Sequence, residues 1–285
     1  MEIIRTPVAM TAWANRMIAA GDSIALVPTM GYFHAGHLSL MRRAKGLAKQ
    51  VVVSLFVNPI QFGPQEDLSR YPRDFERDAA LAQGEGVDVL FAPEAAAMYP
   101  EGSRTRVTVS GLTSGLCGGS RPGHFEGVTT VVAKLFHLVK PQFAVFGRKD
   151  FQQLAVIRRM TADLNWDIEI IGHPIVREAD GLAMSSRNVY LSPEERQSAL
   201  GLSRALRHAR QRAGDGLTDA AVLTREVREM LAAAPGIAVE YVECVDEATL
   251  APCPRLAPGV VLAIAARVGT TRLIDNDNLF AEEVQ

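Results

Sequence analysis

In the first part of the chain, short apolar runs alternate with segments whose apolar residues recur at helical spacing. Ser23–Thr29 is apolar and breaks at Pro28-Thr29-Met30-Gly31, which predicts a strand entering a turn. Residues Gly36 to Lys49 carry Leu38, Met41, Ala44, Leu47 and Ala48 on one helical face. Strands are predicted at Val51–Val57, Val87–Phe91, Gln142–Phe146 and Asp167–Ile171, with helices at Arg73 to Ala82, His124 to Val139 and Asp150 to Leu164. Strands that read as apolar on both faces, alternating with helices, predict a doubly wound parallel sheet. Ligands of such sheets lie beyond the carboxyl ends of the strands.

The pattern changes near residue 175. Pro193–Arg212 and Thr218–Ala234 read as amphipathic helices, the first opened by Ser192 as N-cap and Pro193 at the first position. Ala238–Val245, Val260–Val268 and Thr271–Ile274 read as strands. The expected organisation is an α/β domain over residues 1–175 and a smaller C-terminal α+β domain over 176–285.

Composition narrows the class. The chain has 285 residues, 48% of them hydrophobic and 22% charged, with a formal net charge of -2. That is the composition of a globular chain, without the basic balance of a nucleic-acid binder. Lysine occurs only at 45, 49, 134, 140 and 149. Cys117, Cys244 and Cys253 are odd in number and form no CxxC pair, so no disulfide framework or cysteine zinc site is expected. Met1 to Met17 lacks the long apolar centre of a signal peptide, and no apolar run approaches the ~20 residues of a membrane helix. These features lead us to expect a cytoplasmic location with no membrane or nucleic-acid partner.

The candidate chemistry gathers after the predicted strands. Gly-Lys and a full GxGxxG are both absent, which argues against P-loop and simple dinucleotide enzymes. Pro28-Thr29-Met30-Gly31-Tyr32-Phe33-His34-Ala35-Gly36-His37 joins a strand to a helix, where free N–H groups and the helix dipole favour an anion. His34 and His37 can face one site, and an imidazolium there would stabilise phosphate charge. A chance pair, or half of a metal site, would leave the same trace. Ala183-Met184-Ser185-Ser186-Arg187-Asn188 can wrap phosphate oxygens with hydroxyl, N–H and guanidinium donors, or it can be an ordinary loop.

Taken together, the two segments resemble the paired signatures of the nucleotidyltransferase superfamily. Further words extend the likeness: Val57-Asn58-Pro59-Ile60-Gln61-Phe62-Gly63, Arg70-Tyr71-Pro72-Arg73, Arg121-Pro122-Gly123-His124-Phe125-Glu126-Gly127-Val128 and Phe146-Gly147-Arg148-Lys149-Asp150-Phe151-Gln152-Gln153. In order and over most of the chain, these resemble the pantoate–β-alanine ligase family. The resemblance implies a Rossmann-like sheet with the smaller domain as a lid. It also implies a two-step reaction: pantoate and ATP give pantoyl adenylate and pyrophosphate, and β-alanine then displaces AMP.

By the same resemblance, Met30, Gly31, Tyr32, Phe33, His34, Ala35, Gly36 and His37 bind ATP, and His37 holds the position of the proton donor. On physical grounds its main contribution is expected to be charge stabilisation. Gln61 and Gln153 match pantoate-binding glutamines, with Gln61 also at the β-alanine end. Neutral amides suit a hydroxylated acid that reacts through its carboxylate. Gly147, Arg148, Lys149 and Asp150 match an ATP loop, in which Lys149 is the candidate for phosphate charge, Asp150 for the ribose, and Arg148 is expected to point outward. Val176 matches an adenine contact through its backbone, and Met184, Ser185, Ser186 and Arg187 match a phosphate clamp. The catalytic set is therefore His34, His37, Lys149 and Arg187. Mg2+ is expected with ATP as co-substrate, its protein ligands unassigned, with no organic cofactor and a homodimer as the assembly.

Arg121 and His124 can serve the pantoate and β-alanine end, or His124 can cap a helix. Asp74 and Asp78 can approach a magnesium ion, but they read first as solvated helix acids; the cysteines, His137, His173 and His208 read as structural. A transferase acting on a phosphorylated acceptor would want basic residues where Gln61 and Gln153 stand. A nucleotide sensor would keep the ATP segments and show no turnover.

Overall fold

Six strands form a parallel sheet because their apolar runs can be buried only between two helical layers. The structure, a computed structural model, describes residues 1–64 and 66–281. The end of the expected C-terminal domain, 282–285, lies outside the described residues. In chain order the elements of the first part are β1 (Glu2–Ile4), α1 (Pro7–Ala19), β2 (Ile24–Thr29), α2 (Ala35–Lys45), β3 (Gln50–Leu55), α3 (Phe75–Gly84), β4 (Val89–Phe91), α4 (Ala95–Met98), α5 (Leu116–Ser120), α6 (His124–Val139), β5 (Phe143–Gly147), α7 (Phe151–Asp163) and β6 (Glu169–His173). The sheet order is β1-β4-β3-β2-β5-β6. Leu26 pairs with Val52 and Val27 with Val53, and all four are fully buried. Burying each such side chain contributes about 1.5–3 kcal/mol, whereas an exposed ion pair such as Lys45–Asp88 contributes well under 1 kcal/mol.

The order reverses at β2, which pairs with β3 on one side and β5 on the other. The carboxyl ends of β2 and β5 thus flank the switch point of a doubly wound sheet. On one face Met41 and Ala44 of α2 pack with Ala25, Val27, Val53 and Leu90.

The remaining elements are α8 (Pro193–Gly214), α9 (Ala220–Ala232), β7 (Ile237–Asp246), β8 (Val260–Val268) and β9 (Thr271–Asn278). The three strands form an antiparallel sheet in chain order, with a register shift between Val239 and Tyr241. Leu202 and Leu206 of α8 and Leu223 and Val227 of α9 share a core with Leu262 and Ile264 of β8. Ser192 N-caps α8 in a capping box with Glu195, and Pro193 takes the first position.

The backbone clusters into two compact units. The first comprises Met1–Gly111, Arg121–Arg148 and Val156–Val176, and the second comprises Leu112–Ser120, Lys149–Ala155 and Arg177–Gln285. Among the described residues no helix is long and apolar enough to cross a membrane.

Several parts of the fold depart from the pattern-based reading, the short helices α4 and α5 among them. β1 and α1 were not anticipated; β1 is a three-residue edge strand, and α1 keeps Val8 and Ile18 in solvent. β9 runs on from Ile274 to Asn278, through four polar residues that alternation of apolar side chains does not reveal.

Candidate functional site

The turn after β2 is built around a buried carboxylate. Gly31 and Tyr32 are both left-handed, with φ of 89° and 52°. This places two successive N–H groups on one concave side. Tyr32 donates to Asp78 Oδ2 at 2.6 Å and Phe33 to Asp78 Oδ1 at 2.7 Å. A Cβ on Gly31 would stand 3.0 Å from Asp78 Oδ2, so the carboxylate and a side chain compete for one space. Burial pushes the Asp78 carboxyl up, and the two N–H donors oppose it. Asp78 is therefore no solvated helix acid, as its sequence context suggested. Its neighbour Arg77 donates to the Phe33 carbonyl at 2.9 Å and lies over the Tyr32 ring. Asp74 does what a helix acid does at an N-terminus and caps α3 through Arg77 N–H.

The α2 helix then starts on two imidazoles. His34 is the N-cap, and its Nδ1 accepts from Gly36 N–H at 3.1 Å. His37 Nδ1 accepts from the His34 N–H at 3.3 Å, and the ring centroids are 4.1 Å apart. A nitrogen that accepts carries no proton, so each ring is neutral and holds its proton on Nε2. The expected imidazolium pair is thus replaced by two Nε2–H donors beside the first-turn amides of α2. Helix capping already consumes both Nδ1 atoms, which the spacing alone did not show.

The turn after β3, Pro59–Gln61, presents Gln61, which is 8% exposed. Its Nε2 donates to Met30 Sδ at 3.0 Å, and its Oε1 accepts from Asn58 Nδ2 at 3.0 Å. Asn58 also donates to the Gly127 carbonyl at 3.0 Å and accepts from Tyr99 Oη at 2.9 Å. Burial pushes the Tyr99 phenol well up, which keeps it a donor. Gly127 of α6 lies against this turn; a Cβ there would fall 2.5 Å from the Ile60 carbonyl oxygen and 2.6 Å from Gln61 Cα.

Close to the Gln61 backbone, Arg121 holds Glu66 with two contacts of 2.6 and 2.8 Å. Burial works to raise the Glu66 carboxyl, but the Arg121 guanidinium outweighs it and holds the group below its usual range. Arg121 Nη1 lies 2.9 Å from His124 Nε2, and His124 Nδ1 lies 2.9 Å from the Gln61 carbonyl oxygen. His124 is the first residue of α6 and does not cap it; the N-cap is Gly123. Asn58, Glu66 and Tyr99 were not singled out as site residues, and Asp78 reads from sequence only as a magnesium neighbour or a solvated helix acid. Only Asn58 left a signal, as part of the Asn58-Pro59 turn.

The other assigned residues of the first unit are Gly147, Arg148 and Val176. Gly147 ends β5 in register with His173, and Arg148 is exposed, as its sequence position suggested. Burial, with Arg43 and Arg148 adding to it, pushes the His173 imidazole down.

The second unit carries Lys149, Asp150, Gln153, Met184, Ser185, Ser186 and Arg187. Asn276 Nδ2 donates to the Lys149 carbonyl at 2.9 Å. Next to Asn276, Asp275 takes two hydrogen bonds from Arg177 at 2.7 and 3.0 Å. Asp275 is 3% exposed; burial pushes its carboxyl up, and Arg177 opposes the shift. Burial also presses the Lys149 ammonium down, with Asp150 and Asp275 working against it and Arg187 with it. Ser185 Oγ accepts from Arg187 N–H at 3.3 Å and caps the turn Ser186–Tyr190. Of the two adjacent glutamines, Gln152 turns inward and donates to the carbonyls of Leu112 and Gly115 at 2.8 and 2.9 Å, while Gln153 is half-buried.

Cys117 lies 3.1 Å from Tyr241 Oη, and burial pushes the Cys244 thiol up to about 12. The Cys244 environment does not make a thiolate nucleophile. Among the described residues no three His, Cys, Asp or Glu side chains are grouped to hold a metal ion.

Fold and turn together define an α/β class: a doubly wound parallel sheet whose central strand feeds a glycine turn and a histidine-capped helix start. Within that class, the chain belongs to the pantoate–β-alanine ligase family, which matches residues 2–278. It is similar to the pantothenate synthetase of Heliobacterium modesticaldum, 57% identical over 97% of this chain and 98% of the relative. It is similar to that of Geobacter sulfurreducens, 54% identical over 99% of this chain and 100% of the relative. The crystal structure of pantothenate synthetase from Thermus thermophilus aligns with a TM-score of 0.94 at 50% identity, covering 99% and 100% of the two chains. That of pantoate–β-alanine ligase from Francisella tularensis, complexed with beta-gamma ATP and beta-alanine, aligns with a TM-score of 0.81 at 31% identity, covering 99% of each chain. The chain is accordingly a ligase.

Proposed function

We propose that the chain condenses (R)-pantoate with β-alanine to pantothenate, driven by ATP through a pantoyl-adenylate intermediate. The observation that carries this reading is the contact between Gln61 Nε2 and Met30 Sδ. It joins a buried neutral amide, suited to a hydroxylated acid, to the histidine-capped helix start suited to phosphate. The ligands in the Francisella tularensis structure support the choice of ATP and β-alanine as co-substrates.

In the first step a carboxylate oxygen of pantoate attacks the α-phosphorus, the bond to the bridging oxygen breaks, and pyrophosphate leaves. The Nε2–H groups of His34 and His37 and the first-turn amides of α2 donate to the phosphate oxygens as charge develops. Lys149 and the Ser185–Arg187 turn supply ammonium, hydroxyl and guanidinium donors to the same groups. The backbone of Val176 receives the adenine, and Asp150 the ribose. Gln61 and Gln153 hold the hydroxyls of pantoate and leave its carboxylate unpaired. In the second step the neutral amine of β-alanine attacks the acyl carbon, the bond to AMP breaks, and the amine proton passes to solvent. The mixed anhydride must be kept from water in the interval, the task we assign to the C-terminal region as a lid.

The carboxylates near the turn do not fit a resident metal site, since both Asp78 oxygens already accept amide protons. Mg2+ is therefore read as part of the Mg·ATP substrate. A cytoplasmic homodimer completes the proposal.

The deciding experiment follows pyrophosphate and AMP from purified protein with ATP. Pantoate alone should release pyrophosphate in a burst matched to enzyme, and AMP should require β-alanine as well. AMP release that is independent of both acids would overturn the assignment.

A further inference from the structure

His124 has one ring nitrogen on a guanidinium and the other on a backbone carbonyl. Arg121 Nη1 can only donate, so His124 Nε2, 2.9 Å away, must accept. The Gln61 carbonyl can only accept, so His124 Nδ1, also 2.9 Å away, must donate. The two contacts fix a neutral ring with its proton on Nδ1. A second proton would set N–H against N–H at the Arg121 contact. Arg121 cannot swing away easily, because Glu66 grips it through both carboxylate oxygens. Among the described residues, Arg121 and Glu66 are charged groups that face the ring. The turn packed against it, Pro59–Gln61, carries none.

The consequence falls on Gln61. Its side chain is held by Asn58 and Met30. Its backbone carbonyl is held by His124, with a longer 3.5 Å contact from Arg121 Nη2.

We infer that His124 is a positioning residue for the hydroxy acid: neutral, it fixes the Gln61 turn beside Arg121, and protonated in mild acid it is driven off the Arg121 guanidinium, shifts the turn it still holds through Nδ1–H, and weakens pantoate binding. This rests on the reading of Gln61 as a pantoate-binding residue. Histidine is the side chain whose ordinary titration falls in the range where such an effect is measurable.

The test is steady-state kinetics with pantoate varied at saturating ATP and β-alanine, between pH 6 and 8. His124→Leu removes the donor and should raise KM for pantoate about tenfold, the usual effect of one lost hydrogen bond, with kcat and KM for ATP within about twofold. His124→Asn places an amide N–H near the Nδ1 position and does not titrate. It should restore KM for pantoate at pH 8 and abolish the rise that the native protein shows toward pH 6. Circular dichroism and thermal midpoints establish that both variants fold; if His124→Leu does not, His124→Asn alone decides through its pH profile. A pH-dependent KM that persists unchanged in His124→Asn overturns the inference. Gln61→Ala separates the two levels. If it leaves KM for pantoate unchanged, the reading of Gln61 fails and takes the inference with it. If it raises KM and the His124 variants do not, the positioning role alone is wrong.

Discussion

Asp78 accepts the Tyr32 amide proton at 2.6 Å across 46 residues of sequence. With the Phe33 contact it holds two left-handed residues in place at the end of β2. Asp78→Asn keeps one acceptor oxygen and turns an NH2 group toward the other amide. We expect KM for ATP to rise about tenfold while the far-ultraviolet circular dichroism stays native. Gly31→Ala should lower unfolding free energy by about 1–2 kcal/mol, the cost of a side chain in the left-handed region. An unchanged ATP KM in Asp78→Asn would separate this turn from ATP.

The two imidazoles of α2 yield a second prediction. His37→Ala should slow single-turnover pyrophosphate release by about 100-fold or more, the usual loss when one preorganised donor is removed. His37→Gln, whose amide nitrogen reaches near the Nε2 position, should recover part of that. Nitrogen NMR at pH 7.5 should find both His34 and His37 protonated on Nε2 and bare on Nδ1. A doubly protonated ring at that pH would contradict the capping geometry.

Lys149 predicts the alkaline limb of the rate. Burial favours its neutral form and lowers it from the ordinary lysine value of 10.5. A lysine is charged below its pKa, so a lowered value means that charge is lost at a lower pH than usual. The adenylation rate should fall on the alkaline side earlier than an ordinary lysine would dictate. Lys149→Arg, which stays charged throughout, should move that limb upward, whatever its absolute rate. A limb that stays in place assigns the titration to another group.

The sheet was readable because β2 to β5 are buried on both faces, which leaves continuous apolar runs such as Val51–Val53. β1 escaped because a three-residue strand with two exposed positions has no period to detect. The end of β9 escaped for a different reason. Asp275 and Asn276 are buried polar residues, kept inside by Arg177 and by the Lys149 carbonyl. Of the candidate site, the segment from Met30 to His37 stood out by residue type at a strand end, and Ser185 to Arg187 stood out only through its pairing with that segment. What Asp78, Asn58 and Glu66 do was not, because each acts through a partner far away in sequence. The charge state of the histidines was misread because Nδ1 is consumed by backbone groups, a matter of rotamer and not of composition.

Gly127 leaves its own mark on how this pocket could be redesigned. The Gln61 side chain is buried and tied to Asn58 and Met30. At 127 even one methyl group would meet the Ile60 carbonyl oxygen and Gln61 Cα. On the proposed reading of Gln61, selection for other hydroxy acids has unequal freedom: variation at 61 would change what is recognised, while variation at 127 would shift the backbone that carries it. A library that keeps glycine there searches chemistries within one frame, and a library that does not will spend most of its members on broken frames.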